Sequence, residues 1–211
     1  RFVQIGDEKF YQIMQFDAMK PFFISLASES NHWMYISSTG GLTAGRKNPD
    51  LALFPYYTDD KIIESGEITG SKTILHVLKN GKRYLWEPFS NRNQGIYKLE
   101  RTILKSTIGN KLIFSEKNID LGLTFKYAWM NADDFGWIKK SCLMNETDQP
   151  AEVYLVDGLQ NILPFGVDQQ SQSKFSTLVD AYKKTELIQE ANLALFRMEA
   201  IMVDRAEPSE A

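Results

Sequence analysis

Residues 73–88 read TILHVLK, then Asn80-Gly81, then KRYLWEP. Two runs of β-forming residues flank an Asn-Gly pair, which supplies the two positive-φ positions of a type I′ hairpin turn. In the first arm Ile74, His76 and Leu78 alternate with Leu75, Val77 and Lys79; in the second, Arg83, Leu85 and Glu87 alternate with Tyr84 and Trp86. Apolar residues fall on both faces, the pattern of strands covered on two sides. The hairpin therefore predicts a sandwich interior rather than a bare edge.

The same grammar extends in both directions. Downstream, strands are expected over 97–106, 111–116, 121–129, 136–145 and 151–155, with turns at Gly109-Asn110, 117–120, 131–134 and 146–150. Upstream, apolar runs cover 10–16 and 21–27, and HWMYIS (32–37) has strand length. The turn Ser38-Thr39-Gly40-Gly41 follows it. Turn signals spaced this regularly suit an antiparallel sandwich. One helix is expected within 171–187, where Phe175, Leu178, Val179, Tyr182 and Leu187 fall near one helical face. LALFRMEAIMV (193–203) then returns as a strand. The expectation is a mainly β chain: one large antiparallel β-sandwich of the supersandwich type over 1–211, with a short helix near its C-terminal end and its last part incomplete.

Composition narrows the function classes. Lys and Arg number 24 against 27 Asp and Glu, a net charge of −3, without a long basic run; that argues against a nucleic-acid partner. No apolar run approaches the roughly 18 residues of a membrane helix, so no membrane partner is expected. Cys142 is the only cysteine, which leaves neither an intrachain disulfide nor a thiolate zinc cluster. It favours a reducing, cytoplasmic compartment, with the periplasm as the alternative.

Catalytic signatures fail one by one. GEITGSKT (66–73) mimics a phosphate loop, but three residues rather than four separate its glycines, Ser71 intervenes before Lys72, and a strand pattern follows. His32 and His76 stand far apart, each in a strand pattern. The acidic pairs Asp59-Asp60 and Asp133-Asp134 point to opposite sides if extended, so neither is automatically an acid/base dyad. No GxSxG elbow occurs. No cofactor, metal or catalytic residue is assigned.

The remaining lead is aromatic and polar residues side by side. NHWMYISSTGGLTAGRKNPDLALFPYYTDDK (31–61) gathers Arg46, Tyr57, Asp59 and Asp60 in what reads as a strand pair and an aromatic-acidic loop. YLWEPFSNRN (84–93) adds Trp86. Sugars stack their apolar faces on aromatic rings while planar polar groups take the hydroxyls. These five residues are the candidate carbohydrate contacts.

Three segments carry a family resemblance: 31–62, WIKKSCLMNETDQPAEVYLVDGLQNILP (137–164), and LALFRMEAIMVDRAEPSEA (193–211). They resemble the N-terminal β-sandwich domain of large bacterial carbohydrate-active enzymes related to cellobiose phosphorylase. The resemblance implies a galactose-mutarotase-like sandwich that packs on a following (α/α)₆ barrel, assists dimer formation and helps enclose an oligosaccharide. It also implies that the catalytic groups belong to that barrel, outside this chain. Two other readings are carried forward: a mutarotase-type epimerase, against which the scarcity of histidines argues, and a free-standing carbohydrate-binding module, which an exposed line of aromatics would favour.

Overall fold

The structure is a computed structural model and describes residues 1–200, apart from the side chain of Asn93. In chain order the strands are β1 (Phe2–Ile5), β2 (Glu8–Met14), β3 (Phe23–Leu26), β4 (His32–Ser37), β5 (Leu42–Arg46) and β6 (Ala52–Phe54). After helix α1 (Asp59–Glu64) come β7 (Gly70–Lys79), β8 (Lys82–Trp86), β9 (Leu99–Ser106), β10 (Lys111–Asn118), β11 (Leu123–Ala132), β12 (Gly136–Asn145) and β13 (Glu152–Gln160). Helix α2 (Gln169–Ala181) precedes the hairpin β14 (Lys183–Ile188) and β15 (Leu193–Met198).

The fold is mainly β, and among the described residues the strand pairings are all antiparallel. A six-stranded sheet in the order β1-β2-β9-β10-β11-β12 forms one layer. Facing it are a four-stranded sheet, β3-β4-β5-β6, and a three-stranded sheet, β13-β7-β8. One hydrophobic core joins all three: Leu112, Phe114, Phe125 and Trp129 from the large sheet, Met34, Ile36 and Leu42 from the second, Leu75, Val77 and Trp86 from the third. The pleat explains this distribution. Along β10, Leu112, Phe114, Glu116 and Asn118 are buried while their neighbours are half-exposed, the two-residue period of a strand with one covered face. A smaller cluster of Ala52, Leu163, Val167 and Val179 holds α2 and the preceding loop against Trp33.

The 73–88 hairpin forms as read, with Asn80 at φ 52° and Gly81 at φ 73°. Its coverage differs from the expectation. Leu75, Val77 and Trp86 face the core, but Leu85, with Tyr154 and Val156 of the neighbouring β13, is exposed. Apolar residues on both faces reflect one buried face and one open apolar face among the described residues.

Other corrections follow from local backbone. The run 10–16 divides: β2 ends at Met14, Gln15 takes φ 51°, and Phe16–Ala18 is a 3-10 turn. The expected helix at 171–187 lies at Gln169–Ala181, and Leu187 belongs to β14. Phe175 leaves helical geometry (φ −130°, ψ 27°), so the segment is two short helical pieces and its apolar residues do not form one stripe. Val179 is buried, whereas Phe175, Leu178 and Tyr182 are exposed. Of the closing strand 193–203, β15 ends at Met198 and residues 201–203 lie outside the described residues. Among the described residues no helix is long and apolar enough to cross a membrane, which says nothing of membrane-spanning strands.

Candidate functional site

The stretch 31–61 builds an aromatic surface by strand register. On β4 the odd positions Trp33 and Tyr35 face outward while Met34 and Ile36 enter the core. Trp33 lies over Gly45 of β5, where a Cβ would come within 2.6 Å of the indole ring; glycine at this position permits the flat approach. Trp33 then contacts Tyr35 on one side (centroids 6.3 Å) and Tyr56 on the other (6.0 Å, 79°). Tyr35 is 49% and Tyr56 41% exposed. The result is a row Tyr35–Trp33–Tyr56 on the outer face of the four-stranded sheet.

Next to that row runs a groove of about 420 Å³. Pro55, Tyr56 and Tyr57 form one wall. Gln169, Gln172, Ser173 and Ser176 of α2 form the other, above a floor of Leu163 and Val179. The Tyr57 hydroxyl accepts a long hydrogen bond from Asn161 Nδ2 at 3.5 Å. Lys183 donates to Asp180 at 2.6 Å at one end. Phenol rings, carboxamides and hydroxyls therefore share one trough.

Of the five residues singled out in the sequence, Tyr57 alone lines this groove. Arg46 is exposed at the end of β5, in register with His32. Asp59 and Asp60 are not in a loop: they are the first turn of α1, exposed, where carboxylates complement the helix N-terminus. Asp60 accepts from the Thr58 hydroxyl at 2.5 Å. That bond, with the Lys61 backbone N–H and the Lys61 charge, outweighs a small opposing effect of burial and holds its carboxyl below the usual range. Trp86 is 0% exposed, packed in the core with its indole N–H donating to Glu116 Oε1 at 2.7 Å. No face of that ring is open to a sugar, which removes Trp86 from the contact set.

A second cavity, of about 320 Å³, opens between the layers. It is bounded by Ser38, Thr39 and Gly40 of the β4–β5 turn, by Ile63 and Glu64 at the end of α1, and by Phe89, Phe114 and Tyr127. Gly41 makes this packing possible, since a Cβ there would lie 2.1 Å from the Ile62 carbonyl oxygen. Register places the rest. Phe114 is opposite Tyr127, and Glu116 is opposite Arg101, so rings stack on one pair of strands and charges meet on the next. Arg101 Nε donates to Glu116 Oε2 at 2.6 Å, and the Phe89 N–H donates to the same oxygen at 2.8 Å. Beside them Lys72 bridges Glu67 (3.1 Å) and Glu87 (2.8 Å). Glu67 also accepts from the Ser90 hydroxyl and the Asn91 N–H.

The sequence reading missed Glu67, Arg101, Glu116 and Tyr127. One signal was available for Glu116: it occupies an inward position of the β10 alternation, where an acid demands a partner. Lys72 and Glu67 sit in the segment that mimics a phosphate loop; there Ser65–Glu67 is a 3-10 turn and Gly70–Lys79 a strand, so no nucleotide cradle forms. Among the described residues no group of three or more His, Cys, Asp or Glu side chains is placed to hold a metal ion.

Two carboxylates tie acid stability to this framework. Burial pushes Glu67 upward, but bonds from the Asn91 N–H, Lys72 and Ser90 outweigh it and hold its pKa below the ordinary value. Burial likewise opposes Asp157, and the bonds from Lys139 and Thr73 outweigh it. A depressed folded-state pKa gives stability that is complete above the unfolded value, near pH 4, and is lost as pH falls through the folded one. The stability gap between the native chain and Asp157→Asn, read from urea midpoints, is therefore expected to narrow steadily from pH 5 to pH 2. A gap that stays constant over that window would contradict this assignment.

A scan against protein-family models and a search of curated proteins return no match to the chain.

Proposed function

We propose that this antiparallel sandwich is a non-catalytic domain of a carbohydrate-active enzyme, a scaffold that also contacts oligosaccharide. The observation that carries the reading is the juxtaposition of the Tyr35–Trp33–Tyr56 row with the groove walled by Tyr57 and the amides of α2. Flat rings accept the apolar faces of pyranose units, and Gln169, Gln172 and Asn161 take hydroxyls as both donors and acceptors. The open apolar face carrying Leu85, Tyr154 and Val156 suits the packing part of the role, because contiguous exposed apolar surface marks sites of protein contact. The galactose-mutarotase-like likeness of the three sequence segments supports the same reading.

A free-standing binding module is the second reading, and the aromatic row, exposed at Tyr35 and Tyr56 with Trp33 half-buried between them, is the observation in its favour. Both readings predict binding here. Calorimetric titration with cello- and malto-oligosaccharides is expected to give saturable heat. Tyr56→Ala and Tyr57→Ala should each weaken affinity about tenfold, equivalent to about 1.4 kcal/mol, with the unfolding transition intact. Absence of heat with both oligosaccharide series, or affinity untouched in both variants, would refute the groove as the contact. A mutarotase-type activity would need a general acid and base flanking the ring, and the groove supplies Asp180 already engaged by Lys183.

A further inference from the structure

We propose that the interlayer cavity is a separate binding site for one small, uncharged polyol the size of a single sugar ring. Its volume, about 320 Å³, is at the lower end of the range for small-molecule pockets, roughly 300–1,000 Å³. That is smaller than the outer groove of about 420 Å³ and leaves room for one ring.

Tyr127 carries the argument. It is 3% exposed. Its ring is fixed by stacking on Phe114 (4.9 Å, 10°) and by the edge of Phe89 (5.2 Å, 89°). Buried phenol hydroxyls ordinarily find a hydrogen-bond partner. Among the described residues no side chain or backbone group bonds this one, and its oxygen is not among the fully enclosed polar atoms: it opens on the cavity beside Gly40, where a Cβ would lie 3.4 Å from the hydroxyl oxygen. Burial pushes the phenol far above its ordinary pKa, so the group stays neutral and can both donate and accept. An unmatched, rigidly held hydroxyl at the wall of a cavity is a position prepared for a ligand hydroxyl.

The surroundings select the ligand class. Arg101 is matched by Glu116 and Glu67 by Lys72, which leaves Asp17 as the cavity's one lining carboxylate without an ion pair among the described residues; the ammonium control tests whether that charge, rather than the hydroxyl, selects the ligand. Asp17 and Asn91 at the rim offer acceptors and a donor to further hydroxyls. Phe89, Phe114 and Phe16 offer an apolar wall for a C–H face. Phe89 holds φ 66°, a costly conformation for a bulky residue, and the Glu116 carboxylate that receives its N–H keeps it there. The ring is thus set in position before any ligand arrives. This site differs from the Tyr57 groove in residues and in ligand size, and the two fail independently.

Saturation-transfer difference NMR on the 211-residue chain tests it, with D-glucose, D-galactose and myo-inositol as probes and ethylammonium as the charged control. At least one polyol is expected to saturate in the millimolar range. Tyr127→Phe removes only the hydroxyl and should weaken binding at least tenfold while leaving the melting temperature unchanged or raised. Tyr57→Ala should leave polyol binding unchanged. On the native chain, the Gly40 and Gly66 amide resonances should shift during titration, a reading that needs no variant. The proposal is overturned by unsaturated signals for all three polyols at 50 mM (about a tenfold excess over a millimolar constant of a few units), by equal binding in Tyr127→Phe, by loss in Tyr57→Ala alone, or by saturation with ethylammonium and no polyol.

Discussion

Glu116→Ala lowers the unfolding free energy by about 3–5 kcal/mol, the cost of breaking a buried ion pair from one side. Glu116 is 0% exposed and serves three donors at once: Arg101 Nε, the Trp86 indole and the Phe89 backbone N–H. Truncation leaves Arg101 with an unmatched charge at a side-chain exposure of 10% and strands two N–H groups, each costly when buried alone. Against a domain stability of about 5–15 kcal/mol, such a loss threatens folding near body temperature. Two further variants separate the causes. Glu116→Gln keeps the shape and an acceptor oxygen, so it should lose less than alanine does. Removing both charges, as Glu116→Leu with Arg101→Met, should recover much of the loss, because apolar replacements of a buried pair are often neutral. Urea denaturation followed by tryptophan fluorescence measures all three. A loss below about 1 kcal/mol for Glu116→Ala would mean that the pair is hydrated and does not organise the cavity wall.

The carboxylate also shows how far the sequence could be read. Strand existence was legible because alternation and turn chemistry are local. The Asn80-Gly81 hairpin and the succession from β9 to β13 follow from them directly. Coverage of a sheet face was not legible, since it depends on what the chain packs there later; Leu85 and Leu75 look equivalent in sequence, and one is exposed while the other is fully buried. Helix α1 was lost for a different reason. Six residues are too few for a helical period, and the remaining signal, Thr58 followed by Asp59 and Asp60, is terminal chemistry that also suits a loop. The aromatic row was barely legible: Tyr57, the neighbour of Tyr56, drew notice, but Trp33 and Tyr35 read as ordinary strand residues until the alternation of β4 placed them on the face opposite Met34 and Ile36. The interlayer cavity lay beyond reach. Its walls come from the 38–40 turn, α1, the loop at Phe89, β10 and β11, and only long-range pairing brings them into one place.

Trp86→Ala is expected to cost about 3–5 kcal/mol, the range for truncating a large aromatic in a packed core. The sequence placed Trp86 among sugar contacts, and that reading predicts a different outcome: binding lost with folding intact. The structure separates the two through exposure. At 0% exposed, in register with the fully buried Leu75 and hydrogen-bonded to Glu116, the ring has no face left for a ligand, and its removal leaves a void that the surrounding strands close only in part. Trp86→Phe should cost less, because most of the ring volume remains and one N–H donor is lost. Equilibrium unfolding measured by circular dichroism gives the test, since it does not depend on the deleted fluorophore. Stability within 1 kcal/mol of the native chain, together with loss of oligosaccharide heat, would return Trp86 to the surface. A double-mutant cycle sharpens the point. Trp86 and Glu116 share one hydrogen bond, so Trp86→Phe and Glu116→Gln should couple by about 0.5–3 kcal/mol rather than add. Trp86→Phe and Tyr57→Ala share no partner and should add. Coupling in the first pair without coupling in the second would locate Trp86 in the framework behind the cavity and Tyr57 in the groove outside it.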